Sequence, residues 1–261
     1  MTTWPTFAAR PDFFCSVWQT VHVPIEDLAT YGVQMGKYGV AVLPSVFPLG
    51  ALAALRSSAT AYFQKAEGEG WHPFPERYRY NPLSRSVLLR ALEDFGCSAS
   101  QLSAPIAIAG LEALLAEALG GPVACHPEQA WVRKRYAPFH APAGYHPNRW
   151  HQDGGLGVRF PPQAGPALPM TRLLTVWLPL DPCCGERPGL EFVRWRLDQL
   201  LHYSELDDDS LRQRFAPERF WVPELQLGDG LIFQDGTLHR TYVTPDMSQD
   251  RLSVEYRFFP A

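Results

Sequence analysis

Apolar and polar positions follow two different periods along this chain, and the change comes near Gly121. Before it, Leu49, Leu52, Leu55 and Ala59 recur at three- and four-residue steps behind Pro48, which predicts a helix running to about Lys65. A short buried strand, Tyr38-Gly39-Val40-Ala41-Val42-Leu43-Pro44, precedes it. Residues 1–30 carry Pro5, Pro11 and Pro24 among aromatics and read as an extended, packed lead-in. Two more helices are predicted near Ser86–Phe95 and Ile106–Leu119, the second closing at Gly120-Gly121, where positive φ is freely adopted. Between them, Gly68 to Pro82 is Gly, Pro and aromatics, as in Trp71-His72-Pro73-Phe74-Pro75 and Tyr78-Arg79-Tyr80. That is a loop with ring area enough either to line a pocket or to pack on the surface.

Beyond Gly121 the period becomes two. Gln129–Tyr136 sets Trp131, Arg133 and Arg135 against Val132, Lys134 and Tyr136. Thr171–Leu180 sets Leu173, Thr175 and Trp177 against Leu174, Val176 and Leu178. Leu190–Val193, Leu227–Gln234, Thr237–Val243 and Arg251–Phe259 follow; turn chemistry at Gly228-Asp229-Gly230, Gln234-Asp235-Gly236 and Pro245-Asp246 separates the last three. Helices first and about seven short strands after them describe an α+β chain whose second half is a jelly roll or barrel. We expect a single domain over residues 1–261, mainly helical over 1–121 and β over 122–261.

Composition narrows the class. Apolar residues make up 46% of the chain and aromatics 13%, enough to fill a core and line an internal cavity. The net charge is −4 with Arg and Lys dispersed, so no basic stripe points to nucleic acid or an anionic membrane. The N-terminus lacks a basic segment followed by an apolar run, and no long apolar stretch could span a bilayer. The five cysteines, Cys15, Cys97, Cys125, Cys183 and Cys184, match neither a zinc pattern nor a disulfide framework. A reducing, cytoplasmic setting is expected, with most of these thiols simply buried.

The candidate chemistry begins at Trp150-His151-Gln152-Asp153-Gly154-Gly155. If extended, it places the His151 imidazole and the Asp153 carboxylate on one face, about 7 Å apart along the strand. A second imidazole from elsewhere would complete a 2-His-1-carboxylate triad, which holds one face of a non-haem Fe(II) and leaves the other open. The spacing alone is weak: with 8 His and 27 acids, chance supplies on the order of one His-x-acid pair, and His126-Pro127-Glu128 is another. A later imidazole, His239, lies in Asp229–Thr241, and Arg251-Leu252-Ser253 opens the last strand with Arg251 and Ser253 on one face. A guanidinium there can grip a carboxylate with two parallel hydrogen bonds, and the hydroxyl can add a third.

In this order the parts resemble the phytanoyl-CoA dioxygenase family of Fe(II)- and 2-oxoglutarate-dependent oxygenases. The segments that carry the resemblance are Gly39–Pro44, Trp150-His151-Gln152-Asp153, Val176-Trp177-Leu178-Pro179-Leu180-Asp181 and Gly189-Leu190-Glu191-Phe192-Val193. The Gly228-Asp229-Gly230 strand leading to His239, and Arg251-x-Ser253, complete the series, which spans residues 31–259. The resemblance implies a double-stranded β-helix (cupin-like jelly-roll) core with N-terminal helices packed against it. It implies His151, Asp153 and His239 as iron ligands and Arg251 on the distal carboxylate of 2-oxoglutarate, helped by Ser253 and Thr241. Trp177 and Thr175 would stand beside the cosubstrate, a core-packing role being the alternative for Trp177. Gln152 points to the opposite face and has no expected catalytic role, and His126 and Glu128 are expected to be structural.

The activity implied is oxidation by O2 of a small molecule, an amino acid or a secondary-metabolite intermediate, with release of succinate and CO2. Related halogenases replace the acid by a small residue, so Asp153 favours hydroxylation, with desaturation or ring formation open. Two inserts depart from the family pattern: Val158–Met170, and the acid-rich stretch that follows Arg194-Trp195-Arg196. They argue against a fatty acyl-CoA substrate, and Arg159, Arg172, Arg194 and Arg196 become candidates for an anionic substrate group. The alternatives are a cupin-like metalloenzyme that does not use 2-oxoglutarate and a non-catalytic binding protein with a vestigial site.

Overall fold

The strands predicted from period-two alternation place polar residues on one face and apolar residues on the other, and the two faces have separate destinies. The computed structural model describes residues 28–69, 81, 84–162 and 168–261; the lead-in before residue 28 and nearly all of the aromatic loop lie outside these. The larger sheet is antiparallel, with β1 (Val40–Leu43), β8 (Gly230–Gln234), β5 (Leu174–Pro179), β10 (Arg251–Pro260), β4 (Trp131–Arg135) and β2 (Ser86–Leu88) in that order. β3 (Val123–Cys125) pairs with the far end of β10. The smaller sheet orders β7 (Phe220–Trp221), β6 (Gly189–Val193) and β9 (His239–Tyr242), and a backbone bridge between His151 and His239 extends it by the motif itself. Together they form the double-stranded β-helix expected of the chain.

On the outer face of the larger sheet, Ala41, Val132, Val176, Ile232, Val254 and Tyr256 join one apolar cluster with the helices. These are α1 (Leu28–Tyr38), α2 (Leu49–Gly68), α3 (Ala99–Ser103) and α4 (Leu111–Leu119). Leu52, Leu55, Tyr62 and Phe63 of α2 are almost fully buried there, each contributing about 1.5–3 kcal/mol of transfer free energy. The inner face carries Thr175, Trp177, Arg251, Ser253, Glu255 and Arg257, all buried. No single helix among the described residues is long and apolar enough to cross a membrane.

Three elements differ from the sequence reading. Ser86–Phe95, read as a helix, is β2 followed by a 3₁₀ segment, Leu89–Phe95. Pairing of Ser86, Val87 and Leu88 with Arg133, Val132 and Trp131 outweighs the local helical spacing. The helix expected over Ile106–Leu119 begins only at Leu111, because Gly110 breaks the run at φ 83°; its end at Gly120 (φ 74°) is as read. And α1 occupies residues whose amphipathic pattern is too short to stand out, with Met35 as its buried anchor.

The second insert packs against the smaller sheet, where Leu201, Leu211 and Phe215 join Val193 and Leu238 in one apolar cluster. It contains α5 (Asp208–Arg214), capped by Asp207, whose carboxylate accepts from the Ser210 amide at 2.9 Å. Asp208 accepts from the Trp150 indole at 3.1 Å and from Arg240 at 2.7 Å, so the acid-rich stretch serves packing. The two inserts meet where His202 Nε2 lies 2.9 Å from the Pro161 carbonyl, and Leu168 bridges Leu200. The turn before β9 touches the second insert so closely that a Cβ on Gly236 would lie 2.1 Å from the Leu197 carbonyl oxygen. Gly236→Ala is therefore expected to destabilise the fold by about 1–3 kcal/mol, read as a lowered midpoint in chemical denaturation.

Candidate metal and cosubstrate site

His151, Asp153 and His239 arrive from two separate segments, yet their ligand atoms all lie within 4.8 Å of one another. The bridge that joins the segments does this: His151 N–H donates to His239 O at 3.0 Å, and His239 N–H returns to His151 O at 3.1 Å. Gln152 is extended (φ −124°, ψ 129°), which keeps His151 and Asp153 on one side of the chain. Asp153 then opens a 3₁₀ turn, Asp153–Gly155.

Gln152 has its own work on the opposite side. Its amide nitrogen donates to the carbonyls of Gly236 (2.9 Å) and Gln199 (3.0 Å), and its oxygen accepts from the Leu201 amide at 2.7 Å. One side chain thus ties the motif to the turn before His239 and to the second insert. Gly154 is needed for close approach: its N–H donates to Asp235 O at 2.8 Å, and a Cβ there would sit 3.0 Å from that oxygen.

Both imidazoles are oriented by backbone. Nδ1 of His151 lies 2.7 Å from Arg149 O and Nδ1 of His239 lies 3.0 Å from Thr237 O. A proton on Nδ1 in each case leaves Nε2 as the free electron pair, the tautomer a metal ligand requires. Burial pushes both imidazoles below their ordinary range, His151 to about 3, with the neighbouring His239 adding to that effect. Phe192 and Phe233 pack on the His239 ring with centroids 5.7 Å and 4.6 Å away.

Asp153 is held by Arg257, which the sequence reading did not single out, and by Thr175, which it did. Arg257 Nη2 lies 3.1 Å from Oδ1 and Nε 3.4 Å from Oδ2. Burial by itself would raise the carboxyl; the Arg257 guanidinium and the two imidazoles overcome it and hold the group well below the usual carboxylate range. Arg257 also lies 3.1 Å from Glu255, and Glu255 pairs through both oxygens with Arg133. Thr175, expected beside the cosubstrate, donates its hydroxyl to Asp153 Oδ2 at 2.6 Å. The trace of this chain in the sequence is the alternation Arg251, Ser253, Glu255, Arg257: four polar residues on one face of a strand whose other face is apolar.

A cavity opens between the triad and the start of β10, lined by His151, His239, Trp177, Thr241 and Arg251. Arg133, Arg135 and Asn148 line it too and were not among the site residues expected from the sequence. Arg251 is 1% exposed with its guanidinium 4.8 Å from the centre of the Trp177 ring, so Trp177 is its packing partner by a cation–π contact. Arg251 Nε, Arg251 Nη1 and Ser253 Oγ are buried without hydrogen-bond partners among the described residues. Orphaned donors of this kind are rare in folded proteins and point into space a ligand would fill.

The other candidates fall elsewhere. His126 packs on Phe259 with ring centroids 4.7 Å apart, and Glu128 pairs with Arg90, both structural contacts. Of the four arginines considered for a substrate anion, Arg172 donates to Leu119 O at the end of α4 and Arg194 stacks on Tyr38 and Trp221. Arg196 pairs with Asp198 at the surface, Arg159 is exposed, and none of the four lines the cavity.

The chain matches no protein-family model and no curated protein by sequence. Among solved structures it is similar to the apo form of EctD from S. alaskensis, with TM-score 0.62 and 16% identity over 92% of this chain and 80% of that one. It is similar to AviO1 from Streptomyces viridochromogenes Tue57, with TM-score 0.58 and 18% identity over 91% of this chain and 96% of the other. HygX from Streptomyces hygroscopicus, solved with nickel and 2-oxoglutarate, aligns with TM-score 0.54 and 15% identity over 89% of this chain and 87% of that one. At these identities the likeness is one of fold.

Two outcomes are expected of the metal-free protein. Thr175→Val should lower affinity for added Mn(II) at least about 10-fold by calorimetric titration, because Asp153 loses its hydroxyl partner. The buried imidazoles titrate lower in the folded than in the unfolded chain, so the unfolded chain binds more protons as pH falls. Stability should therefore decline from about pH 6.5 towards pH 3, and His151→Gln should flatten that slope in urea unfolding followed across pH. Because about a third (34%) of the His151 side chain still reaches solvent, screening reduces the size of the effect and leaves its sign.

Proposed function

We propose that the chain is a non-haem Fe(II)- and 2-oxoglutarate-dependent oxygenase that hydroxylates an unactivated C–H bond of a small molecule, releasing succinate and CO2. The observation that carries the reading is a clustered His-Asp-His set whose two imidazoles line the same cavity as Arg251, a guanidinium that, like the Ser253 hydroxyl two residues on, has buried atoms without partners. Two imidazoles with free Nε2 atoms and one carboxylate are a donor set suited to Fe(II) with positions left open. The orphaned atoms of Arg251 and Ser253 are what a carboxylate would satisfy, so the residues fit both groups. The fold neighbours support the same reading: EctD has been solved with Fe and with 2-oxoglutarate and 5-hydroxyectoine, and SnoK is a 2-oxoglutarate-dependent carbocyclase.

In this reading His151, Asp153 and His239 hold the metal, and Arg251 with Ser253 binds the distal carboxylate of 2-oxoglutarate. Iron and 2-oxoglutarate together supply reduction of O2 coupled to oxidation of the substrate. The protein's part is to hold and exclude. Arg257 and Thr175 keep Asp153 ionised and aimed, and Phe192 and Phe233 shield the His239 side from water. Trp177 keeps the Arg251 guanidinium in place while its polar atoms remain free, and Thr241 lies on the cavity wall beside them. The two joined inserts flank the segment after Asp153 and are the natural source of substrate selectivity; the substrate is an amino acid or a secondary-metabolite intermediate.

Anaerobic addition of Fe(II) and 2-oxoglutarate should give a weak visible charge-transfer band, and admission of air should release succinate even without substrate. Asp153→Ala and His239→Ala should abolish both signals. Arg251→Gln should leave metal binding intact and weaken 2-oxoglutarate at least about 10-fold. Folded wild-type protein that gives neither band nor succinate would overturn the proposal.

A further inference from the structure

Arg135 is the last residue of β4, 1% exposed, and lies on the wall of the cavity. In the antiparallel register Arg135 stands directly opposite Arg251, so the two guanidiniums share the inner face of the sheet. Like charges in such positions repel, and burial takes away the water that would screen them. The other charges on this face already have partners: Arg133 and Arg257 flank Glu255, and Arg257 reaches on to Asp153. Among the described residues, neither Arg135 nor Arg251 has a carboxylate in salt-bridge contact.

Arg135 does have partners for part of its guanidinium: Nη1 donates to the carbonyls of Ser84 and Lys134, which anchor the side chain. Its Nε has none. Counted with Arg251 Nε, Arg251 Nη1 and Ser253 Oγ, four buried donor atoms stand unpaired at this end of the cavity. A carboxylate offers about four lone-pair sites.

We infer that Arg135 is a second cosubstrate-binding residue, forming with Arg251 a cross-strand pair of guanidiniums that closes on one carboxylate. This rests on the proposal that the cosubstrate is 2-oxoglutarate, and it goes beyond it in assigning the distal carboxylate to two arginines from adjacent strands. The consequence is a steep preference for a keto acid with a second carboxylate: without it, two buried cations face each other uncompensated.

The test compares 2-oxoglutarate with 2-oxobutanoate, which keeps the keto acid and lacks the distal carboxylate, by calorimetric titration of Mn(II)-loaded protein. Wild type should bind 2-oxoglutarate far more tightly. Arg135→Gln should weaken 2-oxoglutarate at least about 10-fold and 2-oxobutanoate less than about 2-fold, since only the charge-assisted bonds to the distal group are lost. If Arg135→Gln does not fold, Arg135→Lys replaces it; a lysine lacks the fork, and a loss of preference of at least about 3-fold is expected. A folded Arg135 variant with wild-type preference for 2-oxoglutarate overturns the assignment of Arg135 and leaves the oxygenase proposal standing. Wild type that binds neither keto acid overturns the oxygenase proposal itself.

Discussion

Four charged side chains alternate in sign through the interior of the β-helix: Arg133, Glu255, Arg257 and Asp153. Each is nearly or wholly out of water, and removing either inner member, Glu255 or Arg257, would leave a buried neighbour without its ion-pair partner, typically at a cost of about 3–5 kcal/mol. The series runs across two strands, β4 and β10, and ends on the carboxylate that opens the 3₁₀ turn after the motif. Ionisation of Asp153 is thus a property of the larger sheet, although Asp153 itself comes from the segment that extends the smaller one. The two sheets are electrostatically joined at the residue that matters most for the metal.

That junction explains why the polar face of β10 can exist inside a fold of this size. Its opposite face, Leu252, Val254, Tyr256 and Phe258, anchors the helices through an apolar cluster, so the strand cannot turn over without exposing that surface. The inner face must then accept buried charge, and it does so by pairing most of it. What stays unpaired is concentrated at one end, on Arg251, Ser253 and Arg135, beside the triad.

The smaller sheet holds the geometry of the triad. The His151–His239 bridge sets the two imidazoles side by side, with ring centroids 4.2 Å apart, and the Gln152 amide locks the same segment to the turn at Gly236 and to the second insert. Gln152 lies between two metal-site residues in sequence and does nothing for the metal directly. Its alternation to the other face, visible in the sequence, is what frees it for this clamp.

Strand periodicity made much of this legible beforehand. The inner and outer faces of β4, β5 and β10 follow from residue order alone, because a side chain in a strand has only two sides to choose from. The triad and Arg251 are named through the resemblance in the order of the parts, since the spacing alone is weak; the fold brings His151, Asp153 and His239 together and sets Arg251 on the cavity wall. The partners of those residues could not be named from sequence. That Thr175 would bond Asp153, that Arg257 would reach it, and that Arg135 would stand opposite Arg251 depend on strand register and on contacts between residues far apart in the chain. Likewise Ser86–Leu88 became a strand only because β4 offered it an edge. Local sequence decided which face each residue shows; only the folded sheets decided what it faces, since register is a global solution to burying the apolar side and neutralising the charged one.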